Sequence, residues 1–566
     1  MQKIKKRFKV HPIFIELPKR SQRHRWRQIT ALSLAILLTA GCSNPFDDEP
    51  EVRRGTIGFV SGALGVISVQ EPQSAIVARD ILSAGGTAAD AATAIAFALT
   101  ATMPSAASLA GGGMCIVRDN RGDIPDVVDF LPRAAQVPSG GASRPSAIPA
   151  MPRGIFLMHS KYGTLKWEQV VAPSENLARF GFQVSRAFAT DLGKVADPLI
   201  RDKAAAHVFR RQDGKIVGEG DALRQPDLAA ALGRIRLRGV GQFYGGPEAQ
   251  RLVEAVQLAG GSLTIEELRN YRPAFRAPIS FPWEKNTVWH FAGPPAAGGA
   301  VAAEMMAILM HDKRFEFADP DEREHLLAEA AKVAFVNRMK NMKPDGTYGT
   351  DAAQFVQKDY LDDVEDRIDD DAVIPLNQLT SNPINWPETP AAVSFAVMDT
   401  FGGAVACTLT LNNIFGTGKM VPGFGFMLAA APDDRGRTYT PLGPALLTSE
   451  YHKHAYMAAA STGGVTAPTS MINVIARAAA GPLSLREAMK VPRVHYAGTP
   501  DKVFVEADMP KERIEALKKK GHTVALTKSI GSVAAVYCPT GVPNNEGMLC
   551  LSASDPRGHG IALGGN

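Results

Sequence analysis

Apolar residues recur at three- and four-residue steps through Ser74–Gly86 (SAIVARDILSAGG) and Thr87–Ser105 (TAADAATAIAFALTATMPS). That period predicts two helices with Gly85-Gly86 as the stop between them. A glycine turn and two apolar runs follow, Gly111–Asp119 (GGGMCIVRD) and Val127–Arg133 (VVDFLPR), both strand-like. The middle of the chain returns to helical spacing, as in Asp227–Gly239 (DLAAALGRIRLRG) and Arg323–Lys340 (REHLLAEAAKVAFVNRMK). The last third is strand-rich: Val393–Asp399 (VSFAVMD), Gly402–Leu411 (GGAVACTLTL), Tyr456–Thr462 (YMAAAST) and Lys502–Ala507 (KVFVEA). Helices and sheet in both portions predict an α+β protein whose layers share one core. No repeat, low-complexity block or Pro/Gly-rich linker divides the chain after its N-terminal segment.

Charge changes the picture at the N-terminus. The formal net charge of +5 comes from residues 1–41, which hold ten Lys/Arg and one acid; the remainder carries 52 basic and 56 acidic groups, a net of −4. That balance offers no basic footprint for nucleic acid. The basic segment precedes an apolar run, Ile29–Ala40, which ends in Gly41-Cys42. Twelve helical residues span about 18 Å and cannot cross a hydrocarbon core of about 30 Å. Positive flank, short apolar core and small terminal residues read instead as a secretory signal over 1–41. The ending LTAGC resembles the bacterial lipoprotein box, which implies an acylated Cys42 as the new N-terminus. Ser43 after it resembles lipoproteins passed on to the outer membrane. Residues 42–55 read as a polar tether. The expected location is therefore the bacterial cell envelope, lipid-anchored and facing the periplasm.

Export places the remaining cysteines in an oxidising compartment. Cys538 and Cys550 flank PTGVPNNEGML between two strand-like runs, which predicts a disulfide-stapled hairpin. Cys115 and Cys407 lie inside apolar runs and read as buried thiols.

Several motif-like stretches fail on inspection. LNNIFGTGKM has Asn413 where a phosphate loop needs its first glycine, and Met420 where it needs Ser or Thr. No G-x-S-x-G is present. His452 and His454 could share a strand face as metal ligands, but EYHKH reads more simply as a polar turn. The acidic run Asp362–Asp371 lacks the glycine and spacing of a calcium loop and reads as a solvated helix face. No metal site and no cofactor are expected.

Many segments together resemble the γ-glutamyltransferase (γ-glutamyltranspeptidase) family. They include ILSAGGTAADAATAIAFAL, SLAGGGMCIVRD, KYGTLKWEQVVAPSENLARFGFQVS, GDALRQPDLAAAL, GQFYGGPEAQ and AGGSLTIEELRNYR. Further on come GPPAAGG, HLLAEAAKVAFVNR, GGAVACTLTLNNIFGTG, MKVPRVH and SASDPR, in order over some 490 residues. The resemblance implies a four-layer αββα sandwich of the N-terminal-nucleophile hydrolase type and catalysis without a cofactor. It also implies a precursor that cuts itself before a threonine, giving a large-subunit-like part (56–391) and a small-subunit-like part (392–566) around one core. In the family that threonine attacks a γ-glutamyl amide, with its freed α-amino group as base. The pairing is needed because a neutral hydroxyl is a poor nucleophile.

Setting this chain on the family pattern places the nucleophile position at Ala392, which has no hydroxyl. The resemblance carries several supporting roles over. Thr410 matches a threonine that supports the nucleophile, Asn412 a glutamyl contact, and Asp434 the partner of the substrate α-amino group. Gly463-Gly464 match the oxyanion-hole pair. Other positions depart: Gly443-Pro444 replace a Ser-Ser pair, Ala431 replaces a polar residue, and the Asp434–Leu442 connection is short. Arg133 lies two positions beyond the arginine that grips the α-carboxylate, a displacement of about 6.6 Å along a strand.

Three functions follow as expectations. The first is a pseudoenzyme that keeps the scaffold and binds a γ-glutamyl ligand without turnover. The second is an active amidohydrolase with a displaced nucleophile, Ser394 before Thr389, since Pro390 restricts the backbone of the latter. The third is a structural envelope protein with no ligand pocket.

Overall fold

The strand that starts at Ala392 is buried on both faces, and this double burial organises the molecule. Val393, Phe395 and Val397 pack against helices. Ala396 and Met398, one residue out of phase, belong to a separate cluster shared with a second sheet, and Ala392 packs against it. A strand covered on both sides reads as a nearly continuous apolar run, as VSFAVMD does. The computed structural model describes residues 65–121, 124–135, 145–343, 346–380, 391–432, 441–543 and 549–564.

Thirteen of the strands make two sheets: β1 (Gly65–Val69), β2 (Gly112–Arg118), β3 (Asp126–Phe130), β4 (Ala274–Arg276), β5 (Ile279–Pro282), β6 (Val288–Phe291), β7 (Ala392–Asp399), β8 (Ala404–Thr410), β9 (Ala445–Ser449), β10 (His454–Thr462), β11 (Ser532–Val542), β12 (Leu551–Ser554) and β13 (Ile561–Leu563). The first sheet has the order β13-β1-β7-β8-β2-β3-β4 and the second β12-β11-β10-β9-β6-β5. Neighbours in both are antiparallel. Each sheet therefore contains strands from both before and after Ala392.

Helices cover both outer faces. Helices α1 (Pro72–Ser83), α2 (Ala88–Thr102), α3 (Trp167–Phe180), α4 (Arg186–Leu199) and α5 (Pro226–Arg238) belong to the core of the first sheet. Helices α6 (Gly298–Met310), α7 (Pro320–Asn341), α8 (Lys358–Glu365) and α9 (Ala467–Ala479) belong to that of the second. Between the sheets lie mainly small side chains, among them Ala396, Ala404, Ala406, Ala458 and Ala460. This is the expected αββα order. Gly85, with φ 79°, ends the first predicted helix, and a Thr87–Asp90 capping box starts the second. Among the described residues, no helix is long and apolar enough to cross a membrane.

The cysteines need one correction. Cys115 and Cys407 are fully buried, as expected, but they form a disulfide rather than two thiols. They are directly opposed in the β2–β8 pair, with their Cα atoms 4.1 Å apart. A register between strands 292 residues apart in sequence is invisible in the two local patterns. Cys538 and Cys550 are also joined, across the β11–β12 hairpin. His452 lies in a turn and His454 opens β10. The acidic run is helical only to Glu365, with Asp366 as its cap.

Candidate functional site

Ala392 is the first residue of β7, and its register partner on β8 is Thr410. The Thr410 hydroxyl donates to the carbonyl of Ala391 at 2.6 Å and accepts from the Asn412 N–H at 2.9 Å. The carbonyl of the Ala391–Ala392 peptide is thus polarised by a buried hydroxyl. Asn412, buried with φ 60°, donates through Nδ2 to the carbonyls of Ala430 (2.9 Å) and Pro132 (3.3 Å). Its amide nitrogen therefore ties two loops together beside the head of β7.

Gly463 and Gly464 turn the chain from β10 into α9, with φ of 136° and 62°. A Cβ on Gly463 would stand 2.6 Å from Thr466 Oγ and 2.7 Å from the Gly531 Cα. Only glycine fits there. Thr466 closes the turn by donating to the Gly463 carbonyl at 2.9 Å. Just beyond it begins a 13-residue helix, whose N-terminus carries partial positive charge.

A cavity of about 370 Å³ brings Ala392 and Gly463 together with Gln70, Thr462, Thr466 and Ser532. Gln70 links three strands here. Its Oε1 accepts from the Ser394 N–H at 2.9 Å, and its side chain meets the Thr462 hydroxyl at 3.1 Å. Nothing local marks Gln70 as a site residue; it is simply the first polar residue after the apolar β1, and only the sheet register brings it beside Ala392.

The far wall of the cavity includes Arg557, from the SASDPR stretch. Burial disfavours the Arg557 cation, but Glu506 and Asp555 outweigh it and hold the guanidinium protonated. Its Nε donates to Glu506 at 2.6 Å. Asp555 also pairs with Arg493, of the MKVPRVH stretch, at 2.6 Å, and both side chains are almost completely buried. These two sequence motifs meet as an ion network that braces the wall. His495, two residues on, is buried, bonded to the Thr469 hydroxyl at 2.8 Å, and pushed down to about 3 by burial.

The other sequence-derived candidates are dispersed. Ser394 is fully buried and its hydroxyl points at the Ala460 carbonyl, 3.4 Å away in the opposite sheet. It does not line the cavity. Arg133 is half exposed and stands 3.6 Å from Asp129, which also accepts from Arg276 at 2.8 Å. Its guanidinium lies 5.9 Å from the Tyr271 ring centroid. Gly443 and Pro444 precede β9 without a side-chain hydroxyl. Asp434, Thr389 and Cys42 lie outside the described residues.

The arrangement offers a polar cavity, a glycine turn at a helix N-terminus and a polarised carbonyl. At the head of β7 it offers a methyl group.

Relatives give this geometry a context. The chain is 27% identical over 573 aligned residues to the glutathione hydrolase proenzyme of Escherichia coli (strain K12), covering 93% of this chain and 97% of that protein. It is also 27% identical over 548 residues to the Acylase ACY 1 proenzyme of Pseudomonas sp. (strain SE83), covering 89% and 94%. Among solved structures, cephalosporin acylase from Bacillus halodurans superposes with a TM-score of 0.74 at 24% identity, over 92% of this chain and all but 1% of that one, for which the coverage is 99%. The γ-glutamyltranspeptidase of Helicobacter pylori gives a TM-score of 0.51 at 24% identity, over 57% of this chain and 97% of that one. Both likenesses support the αββα fold of N-terminal-nucleophile hydrolases. The family model described as Gamma-glutamyltranspeptidase matches residues 74–565, and the chain belongs to that family.

Proposed function

We propose that this protein is a γ-glutamyltranspeptidase-family envelope lipoprotein that binds an amide-linked acyl compound, γ-glutamyl or related, without cleaving it. The observation that carries the reading is Ala392, a methyl at the head of β7 facing the cavity beside Gly463. Alanine can neither make the N→O acyl shift that would cut the chain nor attack an amide. Losing a covalent nucleophile leaves only what binding and the oxyanion hole supply. Ser394 is a poor replacement, because its hydroxyl is sealed between the sheets. Anchoring through acylated Cys42 at the periplasmic face of the outer membrane belongs to the same proposal and rests on the LTAGCS stretch.

Calorimetric titration with a γ-glutamyl amide tests the ligand side. Saturable binding without amide release is expected, lost in Ala392→Phe, whose ring fills the cavity mouth. Release of product at a steady rate by the wild type would show turnover. Absence of any binding, with γ-glutamyl and simple acyl amides alike, would favour a purely structural role.

A further inference from the structure

A second cluster of donor groups lies away from the cavity, where the end of α6 meets α8. His311, Asp312 and Glu365 place one potential ligand atom each within 4.8 Å of the others. His311 Nε2 is 2.9 Å from Asp362 Oδ1 and 3.4 Å from Glu365 Oε2. The imidazole is largely buried, with 12% of its side chain exposed, while Asp362 and Glu365 face it from the same side of α8. One imidazole and three carboxylates therefore converge from two separate elements.

We propose that this cluster binds a divalent transition-metal ion, zinc by preference, through His311, Asp312 and Glu365, with Asp362 as a fourth or outer ligand. Three features support it. In a tetrahedral zinc site with bonds of about 2.0–2.2 Å, neighbouring donor atoms stand about 3.3–3.6 Å apart, so little movement is required. The donor set, one imidazole nitrogen with carboxylate oxygens, suits a borderline ion rather than calcium, which takes six to eight oxygens. The local charge is negative: the carboxylates of Asp312, Asp362 and Glu365 surround a single imidazole. Lys358, 2.7 Å from both Asp362 oxygens, is 75% exposed and can swing away when a dication replaces it. Lys313, next to Asp312, pairs with Glu284 and Glu316 instead.

Asp312 reaches the cluster because the chain after α6 takes two successive left-handed residues, Asp312 (φ 44°) and Lys313 (φ 63°). On binding, the Nε2 proton of His311 passes to solvent while solvent supplies one to Nδ1, so the ring stays a neutral imidazole with its Nε2 lone pair on the metal; no redox step is involved. The role is structural, pinning α8 to the end of α6. It is independent of the reading proposed for the Ala392 cavity.

The test uses the tag-free protein, stripped with EDTA, dialysed, and titrated calorimetrically with zinc chloride near neutral pH. One equivalent should bind with micromolar or tighter affinity and persist in millimolar calcium. His311→Gln and Glu365→Gln should each weaken binding by ~100-fold. The cobalt-loaded protein should show visible absorption that His311→Gln lacks. Unchanged urea midpoints of both variants in EDTA verify their folding, and if one variant unfolds the other carries the test. No stoichiometric binding by the wild type, wild-type affinity in His311→Gln, or displacement of zinc by calcium would each overturn the proposal.

Discussion

Acidification should destabilise this protein steeply, because several imidazoles are buried neutral. Burial pushes His290 down to about 4, with Arg118 adding to it, His495 to about 3, and His522 to about 3, with His325, Lys332 and Lys520 adding to the last. In the unfolded chain each titrates near ~6.5. His522 Nε2 faces His325 Nδ1 at 2.8 Å, so one ring must accept where the other donates, and the pair counts here as one proton. Below pH ~6.5 the unfolded chain binds about three protons that the folded state refuses, and stability falls as pH falls. Glu304 acts in the opposite sense. Burial raises its pKa to about 7, and the folded state keeps a proton that the unfolded chain loses above ~4.5. The net uptake on unfolding is about two protons, roughly 2.7 kcal/mol per pH unit at full development. Integrated from pH ~6.5 to ~5, the loss is about 3 kcal/mol, a large share of a typical 5–15 kcal/mol. Urea unfolding across that range measures the slope, and Glu304→Gln should steepen it towards about three protons. A midpoint that stays level or rises on acidification would refute the reasoning.

Three further outcomes are expected. Asp555→Ala leaves Arg493 buried without its carboxylate partner, and urea unfolding should show a loss of about 3–5 kcal/mol. Replacing Cys115 and Cys407 together by alanine opens a 292-residue loop in the unfolded chain; a loss of up to about 5–6 kcal/mol should appear relative to the oxidised wild type, and a loss below about 1 kcal/mol would contradict the entropic account. Under the lipid-anchor proposal, Cys42→Ser should release protein from the membrane fraction or strand the precursor, and unchanged partitioning would count against an acylated Cys42.

Much of the architecture was legible because each pattern maps onto a local constraint. The helical spacing of Ser74–Ser105 and the glycines at 85–86 became α1 and α2, with positive φ at Gly85 where the first helix ends. VSFAVMD became β7 with its head at Ala392. What stayed hidden depends on register between distant strands. The Cys115–Cys407 bond needs β2 and β8 adjacent and in phase. Gln70 reaches Ser394 and Thr462 only because β1 lies beside β7 and the β10 end closes over them. The Arg493–Asp555–Arg557 network joins two stretches visible as motifs, but their mutual contact is tertiary. Ser394 shows the converse: two residues along a strand keep the same face, yet here that face leads into the space between the sheets rather than into the cavity.

The central claim is that the chain carries no working nucleophile at Ala392, and intact mass of the purified protein tests it most directly. The sample must be reduced first, because the Cys115–Cys407 disulfide would hold the parts of a cut chain together across that point. A single polypeptide containing both Cys115 and Cys407 is the predicted result. Two polypeptides that meet within a few residues of Ala392 would contradict it and show that another group there performs the cleavage.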